Sequence, residues 1–139
     1  MEYPNEGQQV HFKNVKGIKK KTVIIGATTN TSRYAFIAAD KLTQHQHPIV
    51  PVGIKKGEVF GSNILNLKEK PWIPDVDTVT MYINPTNQKE WEEYILSLNP
   101  KRIIFNPGTE NIELEKKANQ QNIETVNGCT LVMLSVGNY

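Results

Sequence analysis

Five short apolar runs, separated by segments long enough to hold a crossover, constrain this chain more than any other feature. They read TVIIG (22–26), IVPVG (49–53), DTVTMYI (77–83), RIIF (102–105) and IETV (123–126). Continuous β-branched runs of this length, closed by glycine or by Asn-Pro, suit strands buried on both faces. Helical patterns fill most of the gaps. After the first run, Ala35, Ala38, Ala39 and Leu42 recur at i, i+3, i+4 and i+7, one stripe of an amphipathic helix over 33–45. Ser32 is its expected cap. Asn87 and Glu90 have capping-box spacing ahead of a face built from Trp91, Ile95 and Leu98. Thr109 or Asn111 opens a further helix running to about Gln121, with Leu114 and Ala118 turned inward. Strands alternating with helices in this way form βαβ crossovers. The predicted architecture is α/β: a doubly wound, mainly parallel five-stranded sheet in a three-layer α/β/α arrangement.

Three places resist a single reading. Pro51 has no backbone donor, so the second strand should lie near an edge or an interrupted bond. Residues 55–74, with Gly57, Gly61, Pro71 and Pro74, form a connector with room for a short extended piece around Ile64. The closing CTLVMLSV (129–136) fits a strand or a short buried helix equally.

The chain has 139 residues, enough for one domain with a sizeable core. Its 38% hydrophobic and 22% charged residues exclude a disordered composition. No apolar run approaches the ~20 residues of a membrane span, and the polar start MEYPNEGQQV is unlike a secretory signal. One cysteine, Cys129, forms no intrachain disulfide, in keeping with a reducing cytoplasmic location. Residues 1–19 are a polar, basic lead-in; 20–139 are the domain. Lys13, Lys16, Lys19, Lys20 and Lys21 gather before the first strand, but only Phe12 stands among them. That pattern suits a solvated lead-in or a weak anion patch, and it lacks the aromatic platforms of a nucleic-acid binder.

In an open parallel sheet, ligands sit beyond the carboxyl ends of the strands, where strand order reverses. The first such turn is GATTNTSR (26–33). Gly26 permits a tight turn and Ala27 adds no bulk; Thr28, Thr29 and Asn30 offer polar partners, followed by Arg33 and Tyr34 at the helix start. A helix N-terminus favours an anion, and Arg33 could grip phosphate with two bonds. The same residues could also serve only to cap the helix. Neither a G-x-G-x-x-G fingerprint nor a G-K-[ST] phosphate loop is present.

The second turn reads Gly53-Ile54-Lys55-Lys56. NAD binders usually carry an acid there for the ribose hydroxyls. Two lysines instead suit a phosphorylated ribose, or form a solvated pair. Asn84 and Pro85 follow the third strand, and Asn106, Pro107 and Gly108 the fourth. No catalytic constellation emerges: His11, His45 and His47 lack partners at metal or relay spacing, and Cys129 sits among apolar residues.

Read together, TVIIGATTNTSRYAFIAADKL, IVPVGIKKGEVFG, DTVTMYINP, PKRIIFNPGTEN and NGCTLVML resemble the small CoA-binding proteins of bacteria, a Rossmann-like family. The likeness runs from about Lys20 to the C-terminus. It also extends to the CoA-binding domain of succinyl-CoA synthetase, whose ligase chemistry needs a further domain with a phosphorylated histidine. The resemblance implies that residues 26–33 hold the CoA diphosphate through Thr28, Asn30 and Arg33. It implies that residues 53–56 lie by the ribose and its 3′-phosphate, and that Asn84, Pro85 and Asn106 to Gly108 wall the crevice. The family commonly shows a V-N-P-like pattern after strand two, where this chain has Val52-Gly53-Ile54.

The expectation is therefore non-catalytic binding of CoA or an acyl-CoA, with no metal, nucleic-acid or membrane partner. Two alternatives stand beside it: a protein-interaction module with a weak ligand site, signalled by apolar exposure around Tyr82, Trp91 or Tyr139, and an enzyme using NADP or another nucleotide. A homodimer is compatible with a protein this small.

Overall fold

The computed structural model describes residues 18–139; His11, Phe12, Lys13 and Lys16 lie outside them. The sheet has strands β1 (Thr22–Ile25), β2 (Ile49–Gly53), β5 (Leu65–Asn66), β6 (Thr78–Met81), β7 (Arg102–Phe105) and β8 (Glu124–Asn127). They lie in the order β5-β2-β1-β6-β7-β8, and every pairing is parallel. Two further strands, β3 (Glu58–Val59) and β4 (Ser62–Asn63), make a separate small hairpin. The expected five strands are joined by a sixth, β5, at one edge. It comes from the connector and is only two residues long, so no apolar run announces it.

The alternation of side chains along each strand divides the core. Val23 and Ile25 join Val79, Met81, Ile103 and Phe105 on one face, packed on Ile95, Leu98, Leu114 and Ala118. Those come from α3 (Glu92–Ser97), the turn after it, and α4 (Ile112–Gln120). Ile24 faces the other way, onto Ala35, Ala39 and Leu42 of α1 (Tyr34–Gln44) and Leu134 of α5 (Thr130–Val136). CTLVMLSV is thus the helical alternative, and the three layers are α/β/α.

Pro51 is accommodated by its direction. The carbonyls of Pro48 and Val52 accept from Thr22 of β1 and from Gly26 just after it, so Pro51, of opposite parity, turns its nitrogen to the other side. Pairing with β5 begins only at Val52, and no ladder bond is lost there.

Two expected caps move. Ser32 does not cap α1; its backbone N–H and hydroxyl both donate to Asn30 Oδ1, and the N-cap residue is Arg33, with no side-chain cap bond. Asn84, not Asn87, opens the helix after β6: its Oδ1 accepts from Asn87 N at 2.9 Å, with Pro85 at the first position of α2 (Pro85–Gln88). Asn111 caps α4, accepting from Leu114 N at 3.0 Å.

Candidate functional site

Strand order reverses between β1 and β6, and a cleft of about 870 Å³ opens there at the carboxyl ends of the strands. Its lining begins after β5 and reaches past β7. With neighbouring strands ~4.8 Å apart, the four gaps from β5 to β7 make it roughly 19 Å long. This is a trough for an extended ligand rather than a pit for a single ring.

The floor is the turn after β1. Gly26 N and Ala27 N both donate to Val52 O, at 2.9 and 3.0 Å, so the chain bends sharply over the end of β2. Gly26 has φ +99°, and a Cβ there would press on Ile83 and the Tyr82 backbone. Gly53 is held as closely from the other side: a Cβ would collide with the Ala27 carbonyl oxygen. Beyond this bend, Asn30 N donates to Thr28 Oγ1 at 3.1 Å and Arg33 N to Asn30 O at 3.1 Å. Because no side chain caps α1, the first-turn N–H groups of Tyr34 and Ala35 have no partner among the described residues. Both residues line the cleft, and so does Arg33. Orphan donors and the positive end of an eleven-residue helix therefore open onto the cleft, with the exposed Arg33 in the lining beside them.

Of the residues singled out in the sequence, Gly26, Ala27, Thr28, Thr29, Asn30, Arg33 and Tyr34 all border the cleft, as do Gly53, Ile54, Lys55 and Pro107. Five do not. Lys56 is exposed outside it. Asn84 and Pro85 are spent on the start of α2. Gly108, at φ +92°, shapes the next turn and donates to Glu110 Oε1. Asn106 is buried, with Nδ2 donating to Thr80 Oγ1 and Met81 O while Oδ1 accepts from Thr130 N. Its amide is committed to joining β6, β7 and α5.

The sequence reading missed several lining residues. Leu67 and Lys68 follow β5 and stand beside Lys55 at one end. Tyr82 and Ile83 continue β6 and Thr109 follows β7 to form the far wall, while Asn87, Glu90 and Trp91 line the cleft from the segment that joins those strands. The buried Tyr82 hydroxyl has no hydrogen-bond partner among the described residues, and the Thr80 and Thr130 hydroxyls bond each other at 2.8 Å. Burial pushes its phenol up to about 12, so it stays neutral.

That far wall is braced from behind by Gln88, fully buried, which donates to the carbonyls of Ile83 and Thr109 at 2.8 and 2.7 Å. Its Oε1 accepts from Asn111 Nδ2, which also reaches Glu92. Glu92 in turn pairs with Lys117 at 3.0 Å.

Of the lysines before β1, the described Lys19, Lys20 and Lys21 are not part of the cleft lining. Lys20 Nζ donates to Tyr139 O and Lys21 Nζ to Pro74 O, around the amino end of the sheet. His45, His47 and Cys129 are likewise outside the cleft lining. Among the described residues no three His, Cys, Asp or Glu side chains gather to hold a metal, and no helix is long and apolar enough to cross a membrane.

An open parallel sheet with helices on both faces and a cleft at its switch point defines the Rossmann-like α/β class. Within that class, residues 20–135 match the family model described as a CoA binding domain, and the chain belongs to that family. A solved structure described as an uncharacterized protein is 59% identical, covering 88% of this chain and 99% of its own, with a TM-score of 0.84. A hypothetical protein from Pyrococcus horikoshii OT3 shares the fold at 24% identity, covering 98% of each chain, with a TM-score of 0.74. A protein from Thermus thermophilus does so at 19% identity, over 94% of this chain and 98% of that one, with a TM-score of 0.76. No curated protein matches the chain.

Proposed function

We propose that this cleft binds CoA or an acyl-CoA and that the chain acts as a binding protein rather than a catalyst. The uncapped start of α1 carries the reading: its free N–H groups open onto the trough, with Arg33 in the lining beside them. A diphosphate fits there because two anionic groups can share the helix end and the guanidinium. Lys55 and Lys68 lie together at the β2–β5 end, where they suit a phosphate on the ribose, with Lys68 taking the part first ascribed to Lys56. The pantetheine arm then runs the other way, over Ile83 and Thr109. The binding-only role is in keeping with a lining that, among the described residues, holds no histidine and no thiol.

The interaction-module alternative loses its cues, since Tyr82 and Tyr139 pack against one core cluster and Trp91 against the other. The lysines would serve the phosphate of NADP as well; family membership favours CoA.

Arg33→Ala tests the reading. With the fold intact by circular dichroism, it should weaken CoA binding by ~1.5–3 kcal/mol, roughly 10- to 150-fold. Unchanged affinity would remove Arg33, and the diphosphate assignment with it.

A further inference from the structure

Asn87, Glu90 and Trp91 line the cleft from a helical stretch that is interrupted at that point. Between α2 and α3 the chain tightens into a 3₁₀ turn, Lys89–Trp91, the kind of interruption that serves as a hinge. Gln88 and Glu92 flank the turn four residues apart, and both are buried and outside the lining. One group joins them: Asn111 Nδ2 donates to Gln88 Oε1 at 2.9 Å and to Glu92 Oε2 at 3.0 Å. We propose that Asn111 is a positioning residue for the cleft: its amide clamps the two flanks of this turn, holds Trp91 and Glu90 in the lining, and so sets the affinity of a site it does not touch. The effect on affinity rests on the CoA reading; the clamp itself does not.

The donors and acceptors of the clamp are fully spent. Both amide hydrogens of Asn111 go to the two flanks, while its Oδ1 caps α4 by accepting from Leu114 N. Gln88 gives its own two amide hydrogens to the carbonyls of Ile83 and Thr109, residues of the cleft wall. Lys117 holds the other oxygen of Glu92 at 3.0 Å, and Tyr94 ties α3 to Pro71 O at 2.6 Å. Trp91, half-buried between these anchored flanks, packs on the larger core cluster while lining the cleft. Without the Asn111 donor, two buried acceptors lose the group they share and the turn is free to open. Apparent affinity then falls with the fraction of chains whose wall is in place.

Asn111→Ser and Asn111→Asp separate this role from a plain loss of stability. Each keeps an oxygen to cap α4 but loses the shared donor, and aspartate also sets a carboxylate against Glu92. Both are made in the full chain carrying Trp72→Phe, which leaves Trp91 as its one tryptophan; Trp72 is exposed and outside the lining. Trp91 emission and its quenching by acrylamide are read without ligand, and CoA is then titrated, with circular dichroism showing the chain folded throughout. The expected result is a red-shifted, more readily quenched Trp91 and a Kd for CoA raised about three- to tenfold by serine and further by aspartate. Should the aspartate variant not fold, the serine variant decides. Unchanged affinity in a folded variant, or an unchanged Trp91, overturns the inference and leaves the CoA reading standing. If the Trp72→Phe parent and the wild-type chain both fail to bind CoA, the CoA reading falls and the emission alone decides the clamp.

Discussion

His47 shows how one residue ties stability to pH. It is half-buried, its ring lies 4.9 Å from that of Tyr139, and its Nδ1 accepts the Lys20 N–H at 3.0 Å. That bond requires a bare Nδ1 and so disfavours the imidazolium. Burial first, then the positive charges of Lys19, His45, Lys20 and Arg102, lower its pKa from 6.5 to about 4. The unfolded chain therefore takes up this proton near pH 6.5, well before the folded one does. The stabilisation is complete above about 6.5 and is lost as pH falls towards 4. Partial exposure screens it, leaving about 1–2 kcal/mol. His47→Asn, which retains an acceptor but does not titrate, should flatten urea-unfolding stability between those pH values. Parallel slopes for the two proteins would contradict the assignment.

At the scale of elements, Asn84 and Asn111 offer a controlled comparison. Each caps a helix through its side-chain oxygen, but Asn111 also spans to Gln88 and Glu92 behind the cleft wall. Asn84→Ala should cost about 1 kcal/mol in chemical denaturation, the ordinary value of a cap. Asn111→Ala should cost about 2–3 kcal/mol, because it also leaves buried acceptors unpaired. Equal losses would mean that the cross-links add nothing. The same elements mark what the sequence could disclose. The five main strands were legible because strands buried on both faces are written as unbroken apolar runs. β5 was legible only as a short extended piece around Ile64, since its two residues join the sheet where the connector returns. The turn after β1 was legible since its place follows directly from the strand before it. Lys68, Glu90 and Trp91 reach the cleft from a connector and from helix surfaces, so their direction is a tertiary property. Asn106, which stands in a strand-end turn like the others, goes inward because Thr80, Met81 and Thr130 offer it partners.

On the scale of the whole molecule, the two ends of the sheet are chemically distinct. At the amino ends, Lys20, Arg102 and His47 close around Tyr139, with the Arg102 guanidinium 4.6 Å from its ring centre. At the carboxyl ends, the open trough joins the free helix start to Lys55 and Lys68, which follow the adjacent strands β2 and β5. The central claim is that this trough recognises CoA through both its diphosphate and its 3′-phosphate. Calorimetric titration of the wild-type chain with CoA, dephospho-CoA, NADP and NAD tests it most directly. Stoichiometric binding of CoA, weakened by about tenfold or more without the 3′-phosphate and weaker still for NAD, is the predicted result. Equal affinity for CoA and dephospho-CoA would contradict the role of Lys55 and Lys68, and no heat with CoA would contradict the account as a whole.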